Sequence, residues 1–218
     1  MAMGQEKSVV KVIAISGSLR KASYSSGLIR AAIELTKESI IGMEIEQLDI
    51  SQLPMENFDL EGDEDNTSLD VEILHQKLRY GAGSFPPVVE DFRQKILESD
   101  CILFSSPEFN YSVSAPLKNA IDWGSRAPNV WADKPAAVIS VSGAMGGARG
   151  QLHLRQIGVD VDLHFVNKPE FFLDAFKPPT KFDTQGNLID EQAKKRLKKV
   201  LLALRTFTLR LQGNKCGN

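Results

Sequence analysis

The chain has 218 residues, 42% hydrophobic and 25% charged, with a net charge of −2. This balance fits a soluble globular protein that buries a full core without staples, as one domain rather than two small ones. The near-neutral charge gives no overall pull toward nucleic acid or an anionic membrane, and no apolar run approaches the ~18 residues of a membrane span.

The two cysteines are Cys101, opening an apolar run, and Cys216, in a polar tail; both read as free thiols of a reducing compartment. The opening MAMGQEKS has neither an apolar signal region nor an Arg-rich presequence, so the expected location is cytoplasmic. Residues 1–8 read as a flexible start. Val10–Ser26, VKVIAISGSLRKASYSS, then leads from a β-branched apolar run through a small hydroxyl-rich loop to the amphipathic run Leu28, Ile29, Ala32, Ile33 and Leu35. The reading is strand, loop, helix, which sets backbone N–H groups and the positive end of a helix dipole at the carboxyl end of a strand.

Met43–Ile50 reads as a short edge-side strand. Ser51–Pro87 is the least regular part. Its acidic run, Glu56–Asp65, reads as a solvated surface loop, with a functional lid as the alternative, and Leu69, Ile73, Leu74 and Leu78 have helical spacing. Pro87–Glu98 predicts a helix with Pro87 in its first turn and Val88, Val89, Phe92, Ile96 and Leu97 on one face. Asp100–Ser106 predicts a buried parallel strand. The loop Pro107–Ser112 leads into a helix over Ala115–Ser125. Ala136–Ser142 predicts another buried strand, Gly143–Gly150 a loop, and Gln151–Ile157 a helix. Asp160–Phe165 and Pro169–Leu173 predict a last strand interrupted near Asn167–Pro169. Lys177–Gly186 is a turn-rich connector, and Asp190–Leu211 a long amphipathic helix with a basic solvated face. Residues 212–218 read as a flexible tail. Strands alternating with helices predict an α/β fold, a parallel sheet with helices on both faces, over residues 9–211.

Neither G-x-G-x-x-G nor G-x-x-x-x-G-K-[ST] is present, which disfavours a Rossmann dinucleotide site and a P-loop. Instead, three loops follow three predicted parallel strands and should meet at the carboxyl edge of the sheet. The first, with Gly17, Ser18, Arg20, Ser23, Ser25 and Ser26, offers hydroxyls, amides and a cation suited to a phosphate dianion, although serines also serve as helix caps and turn residues. The second, with Pro107, Glu108, Phe109, Asn110 and Tyr111, offers aromatic rings and polar edges suited to a flat heterocycle. The third, with Ser142, Gly143, Gly146, Gly147 and Gly150, lets backbone approach a ligand closely. Arg149 and Arg155 are weaker candidates for an anion. His75, His153 and His164 are scattered and not at metal-ligand spacing, so each reads as structural and no metal site is expected. Without a nucleophile–base team, a bound cofactor is left to do the chemistry.

GSLRKASYS at Gly17–Ser25, PEFNYSVSAPLKNAIDW at Pro107–Trp123 and SGAMGGARGQLHLRQ at Ser142–Gln156 together resemble the NADPH-dependent FMN reductase family, in its quinone and chromate reductase branch. The resemblance covers Val9 to Leu173. It implies a flavodoxin-like fold, a doubly wound five-stranded parallel sheet in the order 2-1-3-4-5, with non-covalent FMN and NADPH or NADH as co-substrate. It further implies that Ser18, Arg20, Ser25 and Ser26 cradle the FMN phosphate. Pro107, Glu108, Phe109 and Asn110 would line the isoalloxazine largely through backbone groups, with Ser142 and Gly143 on its far side. Pairing through Lys118–Ser125 would give a homodimer or homotetramer, and Arg126 would lie near the neighbouring subunit and the substrate mouth. The family usually carries Tyr where this chain has Phe109. The implied activity is hydride transfer from NAD(P)H to flavin N5, then two electrons to a quinone in ping-pong order, with no catalytic side chain. An electron-carrying flavodoxin, a reductase of free flavin, chromate or azo compounds, and a non-enzymatic nucleotide-binding or sensory module are the competing readings.

Overall fold

The computed structural model describes residues 9–61 and 85–213. In chain order the elements are β1 (Val10–Ser16), α1 (Tyr24–Ser39), β2 (Met43–Leu48), a 3₁₀ turn (Phe58–Leu60), α2 (Pro87–Glu98), β3 (Cys101–Ser106), α3 (Ala115–Ser125), β4 (Lys134–Ser142), α4 (Ala148–Asp160), β5 (Leu163–Phe165), β6 (Phe171–Asp174) and α5 (Glu191–Gly213). All pairings between strands are parallel, in the order β2-β1-β3-β4-β5, with β6 also on β4. This is the order that the resemblance implies, and the interrupted last strand is seen as two pieces. β5 pairs with Lys134–Ala136, the start of β4, and β6 with Ile139–Ser142, its end.

Successive strand residues point to opposite faces, and the core divides accordingly. Val10, Val12 and Ala14 of β1, with Leu103 and Ile139, pack under α1 and α5 through Leu28, Ile29, Leu197 and Leu201. Ile13 and Ile15, with Ile102, Phe104 and Val138, pack under α2, α3 and α4 through Phe92, Ile96, Leu117, Ile121 and Leu154. With apolar residues needed on both faces, β3 and β4 read as continuous hydrophobic runs.

Several expectations need correction. On α2, Val88 and Leu97 are exposed and Arg93 is buried instead. The Arg93 guanidinium donates to the carbonyls of Trp123 at 2.7 Å, Arg126 at 3.0 Å and Pro128 at 2.9 Å, and stands 4.2 Å from the centroid of the Phe85 ring. Three carbonyl acceptors offset the cost of burying a cation. The helix after the third loop begins at Ala148 rather than Gln151 and ends at Asp160 rather than Ile157, and α5 runs two residues past its expected end, to Gly213.

The described part of the acidic run is solvated only in part: Asn57, Asp59 and Leu60 are exposed, while Glu56 and Glu61 are half-buried. Glu56 donates its N–H to Asn119 Oδ1 at 2.7 Å, and burial pushes its carboxyl above the usual carboxylate range. The Glu61 carboxylate is nearly covered by its ion pair with Arg126. Pro54 accepts from both Asn119 Nδ2 and Trp123 Nε1 at 2.8 Å, so this segment is tied to α3. Residues 62–65 of the run, the helical pattern Leu69–Leu78, His75 and Cys216 lie outside the described residues.

Arg93→Met leaves three carbonyls without their donor and should lower the unfolding free energy by about 3 kcal/mol in urea denaturation. The Cys101 thiol is pushed up to about 12 by burial. In the native protein at neutral pH, the peptide carrying Cys101 should therefore stay unlabelled by iodoacetamide and become labelled in denaturant, read by mass spectrometry.

Candidate functional site

β1, β3 and β4 are neighbours, so the loops leaving their carboxyl ends converge. The first begins at Gly17, which donates its N–H to the Ser105 carbonyl at 2.9 Å and accepts at its own carbonyl from Ser114 Oγ. A Cβ at Gly17 would stand 2.8 Å from Pro107 Cδ, so only glycine lets the first and second loops touch. Ser23 caps α1 by accepting from the Ser26 N–H at 3.3 Å. Ser26 Oγ donates to Ser16 Oγ at 3.0 Å, which in turn bonds the Ser18 backbone. The first turn of α1 holds no acidic residue, and its leading N–H groups lack intrahelical acceptors. That end of the helix therefore carries positive potential.

The second loop is a tight reversal. Phe109 and Ser112 exchange backbone hydrogen bonds at 3.0 and 2.9 Å, with Asn110 and Tyr111 between them at φ of 49° and 66°, the φ pattern of a type I′ turn. Left-handed backbone is easy for Asn and costly for Tyr. The Tyr111 ring is held under the Arg149 guanidinium, 4.0 Å from its centroid. The Glu108 carboxylate crosses to the third loop, where it accepts the N–H groups of Arg149 at 2.9 Å and Gly150 at 3.1 Å at the start of α4. Its side chain is thus a cap for α4.

In the third loop, Gly146 and Gly147 take φ of 59° and 88°. Cβ atoms there would meet Leu173 N and Ser140 Cβ at 2.7 Å, so these glycines serve the turn. Gly143 is different. A Cβ there would find no atom nearer than Phe176 Cδ2 at 4.0 Å, and the open space beside it is the cleft.

That cleft has a volume of about 340 Å³, at the lower end of the roughly 300–1,000 Å³ range of ligand sites. The first loop lines it with Ser18, Arg20, Ser23, Tyr24 and Ser25, the second with Pro107, Glu108 and Phe109, and the β4 end with Val141, Ser142 and Gly143. Ala175 and Phe176, after β6, complete its wall. Phe109 and Phe176 are 53% and 77% exposed, and two open aromatic rings in the wall of one cleft mark a ligand surface. Of the residues expected at a site, Gly17, Ser26, Asn110 and Tyr111 support the loops without lining the cleft. Arg126 stands elsewhere, its Nη2 2.9 Å from Glu61 Oε2 at the end of α3. Arg149 serves Glu108 and Tyr111, and Arg155 donates to the Val166 carbonyl at 3.0 Å. Neither reaches the cleft. His153 Nδ1 lies 2.9 Å from Ser112 Oγ, and His164 Nε2 3.1 Å from Asp133 Oδ1. Sequence reasoning missed Tyr24, Val141, Ala175 and Phe176. The carboxyl-edge rule, extended to the second piece of the last strand, points to the final pair.

The contents of the cleft fit FMN: hydroxyls, a cation and a helix N-terminus for the phosphate, and apolar walls with a bare Gly143 backbone for a flat ring. Comparison with known proteins agrees. Residues 10–177 match the model of the NADPH-dependent FMN reductase family. An Arabidopsis thaliana NADPH:quinone oxidoreductase is 62% identical over 207 residues, 95% of this chain and 96% of its own length. A Solanum tuberosum NAD(P)H:quinone oxidoreductase is 57% identical over 95% of this chain and 97% of its own. Among solved structures, the flavoenzyme NAD(P)H:(acceptor) oxidoreductase FerB from Paracoccus denitrificans superposes with a TM-score of 0.73 at 29% identity, covering 93% of this chain and 98% of its own.

Glu108→Ala should remove the α4 cap and lower stability by about 1–2 kcal/mol. Glu108→Gln, whose amide oxygen still accepts one N–H, should lose less in the same chemical denaturation series.

Proposed function

The chain belongs to the NADPH-dependent FMN reductase family, which makes it an oxidoreductase working with FMN and NAD(P)H, and we propose that it is a cytoplasmic NAD(P)H:quinone oxidoreductase with one FMN-binding domain over residues 9–211. The observation that carries the cofactor assignment is the cleft itself, where a hydroxyl-rich helix N-terminus and an open Gly143 face one space. Ser18, Arg20, Ser23 and Ser25, with the N–H groups opening α1, hold the phosphate. Gly17 and Ser26 keep that loop in shape from beneath. Pro107, Glu108 and Phe109 present the second loop to the ring, Asn110 and Tyr111 set its turn, and Ser142 and Gly143 meet the ring from the β4 side. Phe109 contributes a ring without a hydroxyl, so its part is packing.

When bound, FMN would supply the redox chemistry, two-electron transfer between NAD(P)H and the acceptor. The loop residues would orient the ring and shield it from water, and backbone N–H groups of the loops would stabilise the negative charge that reduction brings. No side chain in the cleft is placed as a nucleophile or a general base, so ring position is the protein's main lever on the rate. The relatives named for quinones, at 62% and 57% identity, support a quinone as acceptor.

Pairing into a homodimer or homotetramer uses the helix faces. A groove of about 700 Å³ between α3 and α4, lined by Ala115, Lys118, Ile121, Asp122, Gln156 and Ile157 among others, suits a second copy. Leu152 and Val159 on α4 are well exposed.

Purified protein loaded with FMN should oxidise NADPH in the presence of a quinone and give parallel double-reciprocal plots, since nicotinamide and acceptor use one flavin face in turn. Intersecting lines would rule out the shared face, and a protein that reduces no quinone would favour the carrier reading.

A further inference from the structure

The connector between β6 and α5 is built rather than slack. Phe182 and Leu188 form an antiparallel bridge with buried side chains. Ile189 donates its N–H to the Lys181 carbonyl at 2.8 Å, and Asp183 to that of Asn187 at 3.0 Å. The Asp183 carboxylate accepts from the N–H groups of Gln185 and Asn187 at 2.9 and 2.8 Å, and from Asn187 Nδ2 at 3.0 Å. Gly186 takes the left-handed conformation, φ 77°, that the tip requires.

This hairpin is pressed against the start of α1, some 160 residues earlier in the chain (|i−j| of 157 for Arg30 and Asn187). A Cβ at Gly27 would stand 1.8 Å from the Gly186 carbonyl oxygen, and a Cβ at Gly186 would stand 2.7 Å from the Ala22 carbonyl oxygen. Backbone meets backbone there because both residues are glycine. Arg30 then straps the two together, donating from Nε to Asn187 Oδ1 at 2.8 Å and from Nη2 to the Gln185 carbonyl at 3.3 Å. The Phe182 ring stacks on Tyr24, centroids 4.2 Å apart and planes 16° apart. Arg20 lies 5.3 Å from the Tyr24 centroid and donates to the Ala22 carbonyl at 3.1 Å. Every partner on the α1 side is in the phosphate-end loop or within two turns of it.

We propose that the Lys181–Ile189 hairpin is the positioning element of the phosphate-binding loop, holding Arg20, Ser23, Tyr24 and Ser25 in their receiving arrangement before any ligand arrives, through the Gly27–Gly186 contact and the Arg30 strap. This rests on the assignment of Gly17–Ser26 to the FMN phosphate. The tip of the loop, Leu19–Lys21, is exposed, so ordering it on binding would weaken affinity. With the hairpin in place, that entropy is lost on folding instead. If a variant leaves the loop competent only a fraction of the time, apparent affinity falls by that fraction.

The test compares FMN with riboflavin, which has the same ring and no phosphate. Flavin is stripped from the full-length protein, and both affinities are measured by fluorescence quenching for wild type, Arg30→Ala and Gly27→Ala. Wild type should prefer FMN. Each variant should lose FMN affinity by about tenfold, the loss for a loop competent a tenth of the time, and keep riboflavin affinity unchanged. Arg30→Ala adds no bulk and carries the test if the Gly27→Ala chain does not fold. An equal loss for both flavins would show general damage and overturn the proposal, as would unchanged FMN affinity in Arg30→Ala. A wild-type protein that binds neither flavin, or both equally, overturns the cofactor assignment itself and the hairpin's role with it.

Discussion

Three parallel strands, β1, β3 and β4, lie side by side, and the candidate site hangs from their carboxyl ends. That adjacency is the constraint on which the rest depends. It brings together loops about 90 and 35 residues apart in the chain, and cross-ties then fix their spacing: Gly17 N–H on Ser105, Ser114 Oγ on Gly17, and the Glu108 carboxylate on the opening N–H groups of α4. Each tie uses a backbone group that would otherwise be left unpaired at a strand or helix end. The cleft is therefore a product of satisfying the main chain, and a ligand meets a surface that is already shaped.

The glycines of the site divide into two kinds by what a side chain would strike. At Gly17, Gly146 and Gly147 a Cβ would run into the protein itself, so those residues belong to the scaffold. At Gly143 it would enter open space, and packing gives no reason for its absence. A glycine-rich loop is thus mostly a device for folding tightly, with one position left bare for what binds.

Much of this was legible in the sequence because local and global preferences agree. The helices Pro87–Glu98 and Ala115–Ser125 keep their expected ends, each with proline in the first turn. The runs Cys101–Phe104 in β3 and Pro135–Ile139 in β4 are apolar without alternation, as suits strands covered on both faces. The start of α4 was not legible, because glycines and an arginine mask a helix whose cap comes from Glu108, some 40 residues away. The packed face expected for Pro87–Glu98 did not include Arg93, since its carbonyl acceptors lie 30 to 35 residues further on. Glu61 looked like one more charge in an acidic run until Arg126 was seen to cover it. In each case the deciding partner is distant in sequence, where periodicity carries no information. The loops of the site were found as a cluster, while the division between residues that line the cleft and residues that brace it needed coordinates.

The split final strand has a consequence for the chain's behaviour among its neighbours in solution. β5 offers three residues and β6 four, separated by Val166–Glu170, and at the opposite margin β2 carries Glu44 and Glu46. Neither margin of the sheet is a long, flat, uncharged ribbon onto which a foreign strand could zip. A broken ladder on one side and acidic side chains on the other discourage open-ended stacking into fibres. The sheet margins thus offer no open ladder between copies, and a contact that closes on itself would have to use the helical flanks.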